Sequence, residues 1–234
     1  MRAFILAAGA GSRLGSITAH CPKCILPVGN KSMLEHWFFL FGLYGIKEVL
    51  INTHYLSDKV VAHCSKIISN CERITFSYEK ELLGTAKTIF CNRDFVKNDR
   101  YFLIVYADTW MNLDIGSMIN FQKKRKGMGT LGLYKPNNLL DQGVIELNGR
   151  KIISIEEKVV KPKGTHAFAG IMIGSYSMFK FYNESMFDLV RDWLPVVKNG
   201  LNPYFIDGLV LDIGTPERYK NACNKIGNLG LGAL

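Results

Sequence analysis

The chain opens MRAFILAAGAGSRLGSITAHCPKCILP, and these 27 residues constrain the fold more than any other stretch. An apolar run over 3–8 passes directly into Gly9-Ala10-Gly11-Ser12-Arg13, and Lys23 follows ten residues after Arg13. A short apolar run ended by glycines reads as a buried strand delivered into a turn. Glycine permits positive φ and lets backbone N–H groups approach an anion, while Arg13 and Lys23 bring full positive charge to the place where phosphates would lie. The segment predicts a polyphosphate pocket at the end of a first strand, with Leu6, Ala8, Gly9, Gly11, Ser12, Arg13 and Lys23 as candidate nucleotide contacts.

The next hundred residues alternate between two periodicities. Strands are predicted over 47–53, 74–78 and 101–106, and helices over 33–44, 57–69 (capped by Ser57) and 85–91. This alternation predicts a doubly wound α/β fold. Beyond a helix over about 114–126 the texture shifts to short strands over 129–134, 143–147, 151–155 and 168–173, with Asn148-Gly149 as a hairpin turn. A helix over 187–199, a strand over 208–211 and a helix over 216–226 close the pattern, and the uncharged, glycine-rich 227–234 is expected to fray. At 234 residues the expectation is one domain over 1–234, with a nucleotide half over about 1–127 and an acceptor half over about 128–234.

Composition narrows the function classes. A net charge of +9 favours anionic partners, but the densest basic cluster, Lys123-Lys124-Arg125-Lys126, falls where a helix ends and faces the negative end of its macrodipole. It reads as a solvated helix end, so neither nucleic acid nor a membrane surface is expected as a partner. The sequence shows neither a secretory leader nor an apolar run of membrane-spanning length, and a cytoplasmic protein is expected. The six cysteines have no disulfide-framework spacing, and the Cys21/Cys24 pair lacks a second C-x-x-C to complete a metal site.

Two aspartates stand where α/β sheets place functional groups. Asp108 follows the strand YFLIVY, and Asp212 lies in Leu211-Asp212-Ile213-Gly214-Thr215-Pro216-Glu217, where a Thr215 cap and Pro216 at the first helical position explain everything except Asp212. Leu6-Ala7-Ala8-Gly9, Gly11, Arg13-Leu14 and Pro22-Lys23 together resemble the signature of the sugar-1-phosphate nucleotidyltransferases, L-A-A/G-G-x-G-x-R-L followed by P-K-P, with Cys24 replacing the last proline. The similarity extends over about 1–225 and implies a Rossmann-like three-layer α/β/α fold with a mixed central sheet. It implies that Asp108 and Asp212 hold Mg²⁺ against substrate phosphates, the second lying in the family's W/L-D-I/T-G-T-P motif. It further implies that Glu157 contacts sugar hydroxyls and Lys158 the sugar phosphate, as in the family's E-K-P, with Gly143 and Ala169 at matching spacing. The segment Glu79-Lys80-Glu81-Leu82-Leu83-Gly84-Thr85-Ala86 resembles the L-G-T-A stretch that borders the nucleobase, making Glu79, Gly84 and Thr85 nucleotide candidates.

The implied reaction is NTP plus sugar 1-phosphate giving NDP-sugar and pyrophosphate, with Arg13, Lys23 and Lys158 as catalytic cations and either a monomer or a homo-oligomer carrying it out. A carboxylate at Glu79 or Glu81 favours guanine, which offers adjacent N1–H and N2–H donors, over uracil or thymine, which offer one N3–H between two carbonyls. GTP with mannose or heptose 1-phosphate is therefore the expected pair, and uridylyl or thymidylyl transfer to another sugar is the alternative. A catalytically silent sugar-nucleotide binder on the same fold would be expected to lose the cations or carboxylates that this chain keeps. A nicotinamide dehydrogenase fits poorly, because position 14 is Leu and the second strand ends Ile51-Asn52-Thr53 without a carboxylate for a ribose.

Overall fold

The computed structural model describes residues 1–67, 71–140, 142–157 and 159–228. Its strands are β1 (Ala3–Leu6), β2 (Pro27–Val28), β3 (Lys31–Ser32), β4 (Glu48–Thr53), β5 (Arg73–Tyr78), β6 (Phe102–Tyr106), β7 (Thr109–Met111), β8 (Gly129–Tyr134), β9 (Gly143–Asn148), β10 (Lys151–Glu157), β11 (His166–Gly174), β12 (Leu201–Phe205) and β13 (Val210–Asp212). The α-helices are α1 (Met33–Leu43), α2 (Ser57–Cys64), α3 (Thr85–Cys91), α4 (Ile115–Arg125), α5 (Leu194–Val197) and α6 (Pro216–Asn228). The chain forms two compact units, one from Met1–Phe4, Leu83–Val105 and Leu113–Gly208, the other from Ile5–Leu82, Tyr106–Asn112 and Leu209–Leu234.

In the unit that contains the glycine-rich segment, β1 neighbours β4 and β4 runs parallel to β5, from Glu48 opposite Arg73 to Thr53 opposite Tyr78. Val49 to Thr53 are all buried, as befits a parallel strand covered on both faces. Helix α1 starts from a capping box: Glu35 N–H donates to the Ser32 hydroxyl at 3.1 Å, and Ser32 N–H donates to the Glu35 carboxylate at 2.6 Å. Such a cap contributes about 1 kcal/mol. A core of Leu14, Leu26, Val28, Met33, Trp110, Leu211, Ile213, Ala222 and Ile226 ties the loop after β1 to β7, β13 and α6.

In the other unit β11 is antiparallel to β6, β8 and β9, the β9–β10 hairpin turns at Asn148-Gly149 as expected, and β8 pairs in parallel with β12. Its interior is aromatic, with Phe4 edge-on to Phe95 and Phe102, Phe102 stacked on Phe179, and Phe179 against Trp193. The basic residues Lys123, Lys124 and Arg125 occupy the exposed last turn of α4, the placement their sequence position suggested.

Four differences from the expected elements have local causes. Strand β12 was hidden by Pro203, which is tolerated because β12 pairs with β8 alone and is an edge strand. The segment over 187–199 is a π-turn (Leu189–Trp193), then α5, then a 3-10 turn, because Pro195 has no N–H to continue an α-helical ladder. Helix α2 ends at Cys64, and its cap is Leu56 with φ of 49° while Ser57 donates instead to the Thr53 hydroxyl at 2.9 Å; residues 68 and 69 of the expected helix lie outside the described residues. Helix α6 continues through Gly227 to Asn228, so fraying does not begin where expected, and 229–234 lie outside the described residues.

Buried His36 joins α1 to β7. Its Nε2 lies 2.9 Å from the Met111 carbonyl, which fixes the neutral Nε2–H tautomer as the donor, and its ring stacks on Trp110 with centroids 4.7 Å apart. Burial, aided by the charge on Lys31 and opposed by the Met111 hydrogen bond, pushes its pKa down from 6.5 to about 4. The unfolded chain therefore binds the proton first, so the stability this histidine contributes is complete above about pH 6.5 and is lost progressively as the pH falls toward 4. Replacing it by His36→Gln, which keeps a donor but does not titrate, should flatten the decline in urea-unfolding free energy between pH 7 and pH 4.5, so that the variant loses less stability than the wild type over that interval.

Candidate active site

The chain leaves β1 at Leu6, whose carbonyl accepts from Ala107 N–H at 3.0 Å, and Ala7 N–H donates to Asn52 Oδ1 at 2.7 Å. The following loop turns through Gly11 at φ of +67° into a 3-10 segment, Ser12–Ile17. A side chain at Gly11 would be both strained and crowded, because its Cβ would lie 3.0 Å from Thr18 Cγ2 and 3.3 Å from Lys23 Cβ. Buried Leu14 anchors the loop from beneath, while Ser12 and Arg13 are exposed above it. Arg13 reaches the turn after Asp212, for a methyl added at Gly214 would meet its guanidinium at 3.4 Å.

Asp108 stands between β6 and β7. Its carboxylate is paired with the Lys23 ammonium, and its carbonyl accepts from Ile213 N–H at 3.1 Å. In the β7–β13 ladder Asp212 lies opposite Thr109, so the two aspartates, 104 positions apart in sequence, come to the same end of one two-stranded ladder. Asp212 Oδ1 accepts from Gly214 N–H at 2.5 Å and lies 3.6 Å from Arg218 of α6. Thr215 caps that helix as expected, with Arg218 N–H 3.3 Å from its hydroxyl. One unit thus gathers Leu6, Ala8, Gly9, Gly11, Ser12, Arg13, Lys23, Asp108 and Asp212, two carboxylates flanked by cations, an arrangement suited to binding polyphosphate and hard cations together.

Two residues here escaped the sequence reading. Arg218 sits in the first turn of α6, where a cation opposes the helix macrodipole, and that misfit was the available signal. Asn52, 5% exposed, is a polar residue one position before the end of the apolar strand β4.

Glu79 is 3% exposed, and its Oε1 accepts from Asn52 Nδ2 at 2.8 Å, so one oxygen of this candidate base contact is held inside the chain. Glu81 is exposed.

The remaining candidates lie in the other unit. Gly84, at φ of +80°, begins α3 so close to the segment before the π-turn that an added Cβ would fall 2.3 Å from the Phe187 carbonyl. The Thr85 hydroxyl donates to Asp188 Oδ2 at 3.1 Å and accepts from Leu189 N–H at 2.6 Å, so it is engaged in both senses. Gly143 and Glu157 are cross-strand partners in the β9–β10 ladder, which brings together two residues expected at the sugar. Ala169 is buried in β11 where the register shifts between Phe168 and Met172, an irregularity that re-aims a strand. Lys158 lies outside the described residues.

Residues 2–228 match the family model described as nucleotidyl transferase. The chain is 29% identical over 224 residues to the D-glycero-alpha-D-manno-heptose 1-phosphate guanylyltransferase of Campylobacter jejuni, covering 94% of this chain and 97% of that protein. It is 26% identical over 226 residues to the mannose-1-phosphate guanyltransferase of Aspergillus fumigatus, of whose length the match spans only 62% against 94% of this chain. Among solved structures, a candidate glucose-1-phosphate thymidylyltransferase from Bacillus anthracis superposes with a TM-score of 0.82 at 26% identity, covering 96% of this chain and 94% of that one. HddC from Yersinia pseudotuberculosis, in complex with GMP-PN, shares the fold with a TM-score of 0.81 at 23% identity, covering 96% and 99%. The expected α/β fold with a mixed sheet is the fold of this chain, and the chain belongs to the nucleotidyl transferase family.

Proposed function

We propose that this chain transfers a nucleotidyl group from an NTP, GTP foremost, to a sugar 1-phosphate of the mannose or heptose class, releasing pyrophosphate. The observation that carries the reading is the meeting of Asp108, paired with Lys23, and Asp212 at one end of the β7–β13 ladder, with Arg13 against the adjoining turn. The guanine preference is supported by the relatives named as guanylyltransferases, now that Glu79 is engaged internally. These substrates make the cytoplasm, where nucleoside triphosphates are held, the expected site of action. Among the described residues no helix is long and apolar enough to cross a membrane.

An anionic phosphate oxygen of the sugar 1-phosphate attacks the α-phosphorus in line, forming one P–O bond as the bond to the departing pyrophosphate breaks. The nucleophile is already ionised near neutral pH, so no general base is needed, and the task is to bring two polyanions together. Arg13 is assigned to the β- and γ-phosphates that leave, and Lys23 to the α-phosphate, toward which its ammonium turns on exchanging Asp108 for substrate. Lys158 is assigned to the attacking phosphate and Glu157 to the sugar hydroxyls, both from the resemblance of Glu157-Lys158 to the family's E-K-P. The donor set fits Mg²⁺, because Asp108 and Asp212 are hard oxygen ligands whose number leaves positions for substrate phosphates and water. When bound there, Mg²⁺ supplies charge neutralisation at the reacting phosphates.

Asp108→Asn and Asp212→Asn each remove a ligand charge while keeping side-chain shape, and each should lower kcat for pyrophosphate release at least about 100-fold with the melting temperature kept. Near-normal rates in both variants with Mg²⁺ present would remove the metal assignment. Separating the cations by substrate, Arg13→Ala should chiefly raise KM for the NTP and Lys158→Ala chiefly KM for the sugar 1-phosphate, as steady-state kinetics with each substrate varied in turn would show. A third measurement, kcat/KM for GTP, UTP, dTTP and CTP with mannose 1-phosphate or a heptose 1-phosphate, should favour GTP by at least about tenfold, or about 1.4 kcal/mol. A tenfold preference for UTP or dTTP would instead favour the uridylyl or thymidylyl reading.

A further inference from the structure

The unit that holds the glycine-rich loop contains a chain of buried polar groups running away from the loop's first residue. Ala7 N–H donates to Asn52 Oδ1 at 2.7 Å, and Asn52 Nδ2 donates to Glu79 Oε1 at 2.8 Å. The backbone of Glu79 is itself held twice, its N–H donating to the Thr53 carbonyl at 2.8 Å and its carbonyl lying 2.8 Å from His54 Nδ1. Asn52 and Glu79 are 5% and 3% exposed, so both amide and carboxylate have exchanged water for protein.

The orientation of the Asn52 amide follows from its partners. A carboxylate only accepts and a backbone N–H only donates, so with Glu79 on one side and Ala7 on the other the amide nitrogen must face Glu79 and the oxygen must face Ala7. A flipped amide would leave its oxygen against the carboxylate and its NH₂ against an N–H, two repulsive contacts in a buried place. Glu79 therefore fixes the amide, and the amide fixes Ala7.

Ala7 is the first residue beyond β1, and the Leu6 carbonyl before it is already held by Ala107 N–H at 3.0 Å. These two bonds set the direction in which the backbone departs toward Gly9 and Gly11. A loop that binds anions through main-chain N–H groups depends on that direction, because misplacement of catalytic geometry by about 1 Å costs on the order of 100-fold in rate.

We propose that Asn52 is a positioning residue for the nucleotide-binding loop, and that Glu79 serves by orienting Asn52. The proposal rests on the nucleotidyl-transfer reading and adds a residue that touches neither substrate. It also gives the acidic residue before the Leu83-Gly84-Thr85 stretch a task other than base recognition.

The proposal is tested by reversing the polarity of the pair. In Asn52→Asp the acceptor for Ala7 is kept but two carboxylates abut in a buried site, and one must take a proton or turn away. In the double variant Asn52→Asp with Glu79→Gln, the amide introduced at position 79 can donate to the carboxylate introduced at position 52, which still accepts from Ala7 N–H. The expected result is that Asn52→Asp raises KM for GTP at least about tenfold while KM for the sugar 1-phosphate stays within about threefold, and that the double variant returns KM for GTP to within about threefold of wild type. Equal impairment of single and double variants, or an unchanged KM for GTP in Asn52→Ala, would overturn it. So would a change of tenfold or more in the GTP-to-UTP ratio of kcat/KM on Glu79→Gln alone, which marks a base-reading carboxylate. Should Asn52→Asp fail to fold, Asn52→Ala adds no charge and must produce the same selective rise in KM for GTP. Amide hydrogen exchange at Ala7, faster in Asn52→Ala than in wild type, reads the network without any activity. A wild-type protein that releases no pyrophosphate from any NTP and sugar phosphate would refute the nucleotidyl-transfer reading, while this exchange measurement would still decide whether Asn52 holds the loop.

Discussion

In the site proposed here two carboxylates 104 positions apart share one cation, and the short β7–β13 ladder brings their backbones to the same end. Left alone, adjacent carboxylates repel, so the arrangement persists only with compensating charge and fixed backbone. Both are present. Lys23 is paired with Asp108 and Arg218 stands near Asp212, while the Asp108 carbonyl and the Asp212 carboxylate receive backbone N–H groups from Ile213 and Gly214. Trp110 and Leu211, the central cross-strand partners of the ladder, belong to the same core as Leu14, so one apolar cluster supports the carboxylates and the loop that carries Arg13.

The same economy governs the loop. It is fixed at its base by hydrogen bonds to Leu6 and Ala7, turned at Gly11 and pinned from below by Leu14, while Ser12 and Arg13 remain at the surface. Rigid support beneath and an exposed cation above is the combination that electrostatic catalysis of phosphoryl chemistry needs, because preorganised charge costs little reorganisation as the transition state forms.

Much of this was legible in the sequence where one local rule dominated. Strands β4, β5 and β8, helices α1, α3 and α4 and the Asn148-Gly149 hairpin follow from periodicity, caps and turn residues, and Asp212 was visible because the cap at Thr215 left it unexplained. What was not legible depends on tertiary pairing. Strand β7 is three residues long and shows no period, β12 contains Pro203, and the π-turn at Leu189 to Trp193 starts from an Asp188 cap that also binds Thr85 and runs into Pro195. That Glu79, a candidate base contact in the sequence, lies buried beside Asn52 follows only from the pairing of β4 with β5.

The reaction we propose is a single direct displacement, with cations and carboxylates of the chain positioning two polyanions and no side chain acting as nucleophile. The stereochemical course at the α-phosphorus tests it most directly. Using GTP with one α-phosphate oxygen replaced by sulfur in a known configuration, and mannose 1-phosphate or a heptose 1-phosphate as acceptor, the configuration of the thio-substituted NDP-sugar is read by phosphorus NMR. One in-line displacement predicts inversion; retention would require a covalent nucleotidyl-enzyme and would contradict the account.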